Sequence, residues 1–250
     1  MTSKKETAAT TATSTDLVPV EQGGFVVLVD NEAKELLAEA APGPRDLAKL
    51  LVPAGSGGAF FTIQTIEGEE AVKSLDVIIA YESPMERSFY ATSIDDSDGG
   101  PPHCTSGDGV TGFGVRDVEA IRAQGADNLE PTEQACASCL FSKFASDLGG
   151  GKGQACSQRK RLVVFDRENI LPMVLQVPAA SLKALKSYKL LLVNARQRAT
   201  RVVTTISLAK QKGSPDYYTV EFDFVRALSA GEVNGLAGLA QILTEAAGTE

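Results

Sequence analysis

The chain has 250 residues, of which 43% are hydrophobic and 22% charged, a composition typical of globular proteins. Its net charge of −8 argues at first against a nucleic-acid partner. No segment approaches the roughly 20 apolar residues of a membrane helix, and residues 1–22 lack the apolar core of a secretory signal, so we expect a cytoplasmic protein with no membrane partner.

Hydrophobic patterning divides the chain into a tail, a β-rich body and a final helix. Residues 1–22 are rich in Thr, Ala and Ser without a hydrophobic period, which predicts a disordered tail. Runs of β-branched and aromatic residues predict strands at 60–66, 75–81, 88–91, 161–165, 171–177, 201–208 and 217–225. Pro178 opens a predicted helix, and Ser229 with Glu232 predicts a capping box for a C-terminal helix and tail over 229–250.

This order of elements predicts a mainly β fold with flanking helices (α+β). Residues 23–228 fit a five-stranded antiparallel barrel of the oligonucleotide-binding (OB) type. An open antiparallel α+β sheet is the alternative, because one sequence does not define the order of the strands. Residues 93–158 contain few apolar runs, so we predict an insertion that is held together by a metal ion rather than by a core.

Four cysteines in this insertion provide the metal ligands. Cys136 and Cys139 form a Cys-x-x-Cys pair, with Cys104 upstream and Cys156 downstream. In a reducing compartment such cysteines indicate a metal site rather than disulfides, and a structural zinc site takes four ligands of this kind. The sequence therefore predicts structural Zn2+ on these four residues, with His103 in place of Cys104 as a second ligand set. An iron–sulfur cluster is the alternative cofactor.

Positive charge is concentrated in one part of the chain. Residues 140–214 carry 14 Lys and Arg against three acidic residues, a net charge of +11, and the remainder carries −19. A field of this sign attracts polyanions despite an acidic total, so we predict a single-stranded nucleic acid as partner. The candidate binding residues are the cations Lys143, Lys152, Arg159, Lys160, Arg161, Lys183, Lys186, Arg198, Arg201, Lys210 and Lys212 and the aromatic residues Phe141, Phe144, Tyr217 and Tyr218.

The aromatic candidates have a second interpretation. Phe141 and Phe144 fit slightly better as hydrophobic filler in the small core of a metal-binding loop, because small metal domains need such filler. Tyr217 and Tyr218 are neighbours in a predicted strand, so their side chains point to opposite faces and one of them should be exposed.

Catalytic patterns are weak throughout. His103 has no accompanying Ser or Cys nucleophile signature, and the glycine-rich stretch 149–153 lacks the residue order of a phosphate loop. Within the basic region only Asp147, Asp166 and Glu168 could supply carboxylates for catalytic metals. We therefore do not expect an enzyme.

Five short motifs, taken together, resemble the motif layout of a known class of proteins. They are Cys-x-x-Cys at 136–139, Gly-Lys-Gly-x-x-Cys at 151–156, a basic run at 159–161, Leu-Pro at 171–172 and Pro-x-x-Ser-Leu-Lys at 178–183. Their layout over roughly residues 60–225 resembles zinc-containing single-stranded-DNA-binding proteins of phages and mobile elements, which have an OB fold. The resemblance implies non-enzymatic DNA binding in replication or recombination within a bacterial or phage-infected cell, with other replication or recombination proteins as further partners. The alternative is a zinc-stabilised protein-interaction or regulatory module that does not bind nucleic acid.

Overall fold

The computed structural model describes residues 35–36, 39–40, 46–53, 58–65, 68–91, 100–167, 169–213 and 216–237. The predicted tail at 1–22 lies outside these residues. The described strands are β1 (Lys49–Leu50), β2 (Phe61–Thr65), β3 (Gly68–Val72), β4 (Ser74–Glu82), β5 (Glu86–Phe89), β6 (Cys104–Ser106), β7 (Thr111–Gly114), β8 (Thr132–Ala135), β9 (Cys156–Phe165), β10 (Met173–Pro178), β11 (Val202–Gln211) and β12 (Tyr217–Ala227). Two helices, α1 (Val118–Gln124) and α2 (Leu182–Asn194), are described in full.

One large antiparallel sheet dominates the fold. Its strands follow the order β12-β11-β4-β9-β5-β6-β7-β8, while β10 pairs with β9 and with the short parallel strand β1. The central strand β9 pairs with β5 through its first residues and with β4 through its last. The mainly β, α+β class predicted from the sequence is confirmed, and residues 104–135 extend this same sheet through β6, β7 and β8.

The predicted five-stranded barrel is not confirmed, because the described sheet is open. In the described part of the chain its end strands, β12 and β8, pair with β11 and β7 and not with each other. A closed barrel needs its end strands to pair with each other, and in this open sheet the helix α2 instead covers one face. Its buried residues Leu185, Tyr188 and Leu192 belong to the same hydrophobic cluster as Val177 on β10 and Val220 on β12. The open-sheet alternative is the one observed.

The alternation of side chains along β9 defines the two faces of the sheet. Leu162 and Val164 point into the main core beneath α2. Arg159 and Arg161, with which they alternate, point to the opposite face, where their cross-strand neighbours are Pro178 and Gln176 of β10. We call these the core face and the open face.

The C-terminal helix begins as predicted. Residues 230–237 are helical, and Ser229 and Glu232 form the reciprocal capping box. The Glu232 backbone amide donates to Ser229 Oγ at 3.3 Å, and the Ser229 amide donates to Glu232 Oε2 at 2.8 Å. Leu236 of this helix packs against the clusters that contain Ile78 and Phe165, so the helix covers the β4 end of the open face.

A buried hydroxyl pair joins α2 to the sheet, and its loss gives a stability prediction. Tyr188 Oη and Thr204 Oγ1 are 2.6 Å apart, and both residues are buried. Tyr188→Phe removes one partner and leaves the Thr204 hydroxyl unsatisfied, so the free energy of unfolding should fall by about 1–3 kcal/mol. Urea denaturation measures this change. In the double variant with Thr204→Val the loss should be smaller than the sum of the two single losses, and strict additivity would contradict the contact.

Candidate metal centre and nucleic-acid interface

The four cysteines converge on one small cavity. Cys104 begins β6, Cys136 and Cys139 form the turn after β8, and Cys156 begins β9. All four are buried and reduced, and all four line a cavity of about 20 Å³. Strands far apart in the sequence thus bring the predicted ligands together.

Strand register and one glycine explain this convergence. Phe89 on β5 has Cys104 as its partner on one side and Cys156 on the other, so the two cysteines share a face. A Cβ atom at Gly112 would lie 3.3 Å from Cys104 Sγ and 3.5 Å from Cys136 Sγ. The bare backbone of Gly112 therefore leaves the room that two sulfurs occupy.

The cavity has a polar lining that matches anionic sulfur. Arg116 Nη1 donates to Cys104 Sγ at 3.3 Å. Arg87 and Ser142 also line the cavity, and Arg87 Nε and Ser142 Oγ are buried without a hydrogen-bond partner among the described residues. Burial raises the pKa of the Cys156 thiol, Arg87 lowers it, and the other three cysteines raise it, with a net rise. The surroundings of Cys156 therefore favour its neutral thiol in the absence of a bound cation.

The cavity is small. Its volume of about 20 Å³ is close to that of one water-sized probe, which is room for a single ion, and the iron–sulfur alternative stays a prediction. In the described part of the chain no group of three or more His, Cys, Asp or Glu side chains is already arranged to hold a metal. The sulfurs would therefore have to rotate towards the cavity centre when an ion binds.

His103 is poorly placed as the alternative ligand. Its Nδ1 accepts a hydrogen bond from the Ala91 backbone amide at 3.2 Å, and the described lining of the cavity contains Cys104 and not His103. Because successive side chains of an extended segment point to opposite sides, only one of this pair can face the cavity. The geometry favours the four-cysteine set.

The aromatic candidates separate into buried and exposed side chains. Phe141 stacks on Phe89, with ring centroids 4.3 Å apart, and packs in the cluster beside the cysteines, so it acts as core. Phe144 is 81% exposed. Tyr218 is buried, whereas Tyr217 is 43% exposed, as the alternation in the predicted strand required. Phe141 and Tyr218 are therefore unavailable as stacking platforms.

The basic candidates do not form one continuous groove. Lys183 and Lys186 lie on α2, on the core face of the sheet, and Lys160 also points to that face. Lys143 and Lys152 are exposed in the cysteine loop. Arg198 and Arg201 lie just before β11, and Lys210 and Lys212 lie near the turn between β11 and β12. The predicted single basic surface is thus distributed over several surfaces.

Carboxylates from distant strands compensate part of this charge. Glu82 on β4 accepts from Lys160 and from Lys189 on α2, the latter at 2.5 Å. Burial raises the pKa of Glu82, but its hydrogen bonds to the two lysines and their charge lower it below the ordinary value. Lys210 similarly pairs with Asp216 at 3.0 Å. These three lysines therefore already pair with carboxylates of the same chain.

The open face carries a groove beside β1, which we call the open-face groove. Its volume is about 590 Å³, within the range of ligand-binding clefts. Its lining consists of Leu47, Lys49, Leu50, Leu51, Glu86, Arg159, Arg161, Val174 and Gln176. Three cationic side chains and one carboxylate leave a net charge of +2 on this lining.

Both groove arginines are held by neighbouring polar groups. Arg161 Nε lies 2.5 Å from one oxygen of the buried Glu86 carboxylate, and Arg159 Nε lies 3.5 Å from the other. With its amide oxygen turned towards Arg159, Gln176 accepts from Nη1 at 2.8 Å and from Nε at 3.0 Å. The guanidinium groups are therefore oriented before any ligand arrives.

Two residues on the open face of the sheet were missed by the sequence reasoning. Lys49 lies outside the basic region of the chain. Tyr81 is 55% exposed because a bulge in β4 shifts the register between Ile79 and Tyr81. Regular alternation would have put Tyr81 on the core face with Ile79, but it pairs instead with Val163 on the open face. No sequence signal marks such a bulge.

Comparison with known proteins leaves the function to be argued from this geometry. No protein-family model, curated protein or solved structure matches the chain. Among the described residues, no helix is both long enough and apolar enough to cross a membrane.

Proposed function

We propose that this protein binds single-stranded DNA without catalysing a reaction, as a component of phage-type replication or recombination, and that a structural zinc ion occupies the four-cysteine cavity. The observation that carries the proposal is the open-face groove, where Arg159, Arg161 and Lys49 surround an accessible cleft. The proposal keeps one feature of OB-fold binding: the DNA strand would lie across an exposed face of the β-sheet.

The open face offers both kinds of contact that single-strand binding uses, cations in the groove and an exposed ring on the neighbouring strand β4. Phosphate oxygens suit guanidinium groups, which donate several N–H groups from a fixed plane, and Arg161 is 60% exposed. Tyr81 lies on the same face, next to the β9 segment that carries Arg161. Stacking of a base on an exposed ring contributes about 1–3 kcal/mol per base and tolerates any sequence.

Zinc would act here as a cross-link and not as a reagent. Cys156 begins β9, and Arg159 follows three residues later on the same strand. A metal bound to Cys156 and to the three other cysteines would fix the end of this strand, and so the position of the groove arginines. Structural zinc sites stabilise small domains in this way.

A salt titration of oligonucleotide binding tests the function. We expect the wild-type protein to raise the anisotropy of a labelled 20-nucleotide oligo-dT at low salt, with affinity falling as salt rises. Arg161→Gln and Lys49→Gln should each weaken binding and reduce the salt slope by about one unit. Tyr81→Ala should weaken binding with little change in slope, since stacking releases no counterions.

The matched control is Lys186→Gln, which removes one exposed charge from α2 on the core face. It should leave affinity and slope nearly unchanged. An equal loss in Lys186→Gln and Arg161→Gln would mean that binding is diffuse and does not use the groove. Absence of wild-type binding at low salt would refute the function itself.

One observation favours the protein-interaction alternative. Leu140, Phe144 and Leu148 in the cysteine loop are 70%, 81% and 40% exposed, an unusual concentration of apolar surface in one short segment. A protein-binding module would use this surface and would give no oligonucleotide signal at any salt concentration. Phe144→Ser separates the two functions, since it removes apolar surface without altering the open-face groove.

A further inference from the structure

A metal bound by four cysteines poses a charge problem inside this fold. Four thiolates on a divalent ion carry a net charge of −2, and all four cysteines are buried. A charge of this kind in a low-dielectric site is costly unless cations or hydrogen-bond donors lie against it. The residues around the sulfurs should therefore reveal whether the site is built for a metal thiolate centre.

Arg116 is the first such residue. Its Nη1 donates to Cys104 Sγ at 3.3 Å, while its Nη2 donates to Thr132 Oγ1 at 2.7 Å and to the Thr132 carbonyl at 3.2 Å. The contacts to β8 hold the guanidinium in place independently of the sulfur. Arg116 thus presents a fixed N–H group and a positive charge to one of the four ligands.

Arg87 is the second. It lies on β5 and lines the cavity beside the four cysteines. With the Gln158 amide oxygen facing it, Arg87 donates through Nη1 at 3.2 Å and through Nη2 at 2.9 Å. Its Nε is buried without an acceptor among the described residues, and Ser142 Oγ beside the same cavity is unsatisfied too. A thiolate centre would supply acceptors for both groups.

We propose that Arg87 and Arg116 are charge-balancing groups of a single-ion, four-thiolate metal centre, together contributing +2 against its −2. This inference rests on the zinc part of the proposed function and not on DNA binding. It explains why two arginines border a cavity of only about 20 Å³ that four cysteines also line. They position and neutralise the thiolates without coordinating the ion.

The test measures metal affinity directly. Zinc is removed by competition with a chromogenic chelator, and the dissociation constant is compared among wild type, Arg87→Gln and Arg116→Gln. Groups that orient or neutralise metal ligands typically change affinity by about 10–100-fold, and we expect a loss of that size in each variant. Arg87→Lys and Arg116→Lys keep the positive charge and should recover part of the lost zinc affinity. Cobalt(II) substitution should still give a four-thiolate charge-transfer spectrum in every variant.

Arg122→Gln is the matched control, because Arg122 is exposed on α1, donates to the Ala91 carbonyl at 3.3 Å and is not among the residues that line the cysteine cavity. It should bind zinc like the wild type. If the arginine variants bind zinc as tightly as the wild type, or if the control loses as much affinity as they do, the charge-balancing role is refuted while the metal site stands. If the wild type binds no metal, the metal site and this inference are both refuted, whatever the result with DNA.

Discussion

Replacement of Cys139 by serine is expected to release the metal and to unfold the segment between Cys104 and Cys156, while the core beneath α2 stays folded. The cluster beside the cysteines is small, with Phe89, Ala91 and Ile121 as its other buried members, so little else holds this segment together. Among the described residues, the main core contains 17 buried side chains, from α2, β2 and the strands at the other end of the large sheet. Sites of this kind contribute folding free energy directly, and local unfolding should follow their loss.

Hydrogen exchange followed by mass spectrometry, together with zinc analysis, measures this result. Amides of β6, β7 and β8 should exchange rapidly in Cys139→Ser, and those of β10, β11 and β12 should stay protected. Chelation of the wild-type protein should reproduce the pattern. Ala137→Ser adds the same hydroxyl at an exposed position of the same turn and should change neither readout. Retained protection of β6 to β8 after zinc loss would show that the segment folds without metal.

The second large effect is expected from Gly114→Ala at the end of β7. Gly114 has φ of +145°, and a Cβ atom there would lie 2.2 Å from the His103 carbonyl oxygen and 2.5 Å from Cys104 Cα. Backbone atoms cannot move aside as a flexible side chain can, so β7 and β6 must separate. Backbone strain alone costs about 1–3 kcal/mol, and the displaced residue is a predicted metal ligand. We expect both lower stability and weaker zinc binding.

Gly107→Ala provides the control for this prediction. Gly107 lies in the turn between the same two strands, and a Cβ atom there meets nothing within 4 Å. The thermal midpoint and zinc content of Gly107→Ala should match the wild type, with a stability change within about 0.5 kcal/mol. A thermal midpoint for Gly114→Ala equal to that of Gly107→Ala would refute the close approach of β7 to Cys104.

Local patterning in the sequence determined most of the elements. The alternating run at 217–225 became β12, the β-branched run at 75–81 became β4, and Ser229 with Glu232 formed the predicted cap. These features depend on side chains within a few residues of one another, which a sequence displays directly. The spacing of the cysteines likewise indicated that they would meet, and in the structure they line one cavity. Zinc itself stays a prediction.

Only the tertiary structure decided which residues share a surface. Arg159 and Arg161 reach the open face while Lys160 turns to the core face, and carboxylates from β4 and β5 then pair with these cations. A bulge moves Tyr81 to the open face, and the order of the strands leaves the sheet open instead of closed into a barrel. The physical reason is that strand order, register and helix docking are set by contacts between segments far apart in the chain. Local composition carries charge and periodicity, but it does not contain those distant pairings.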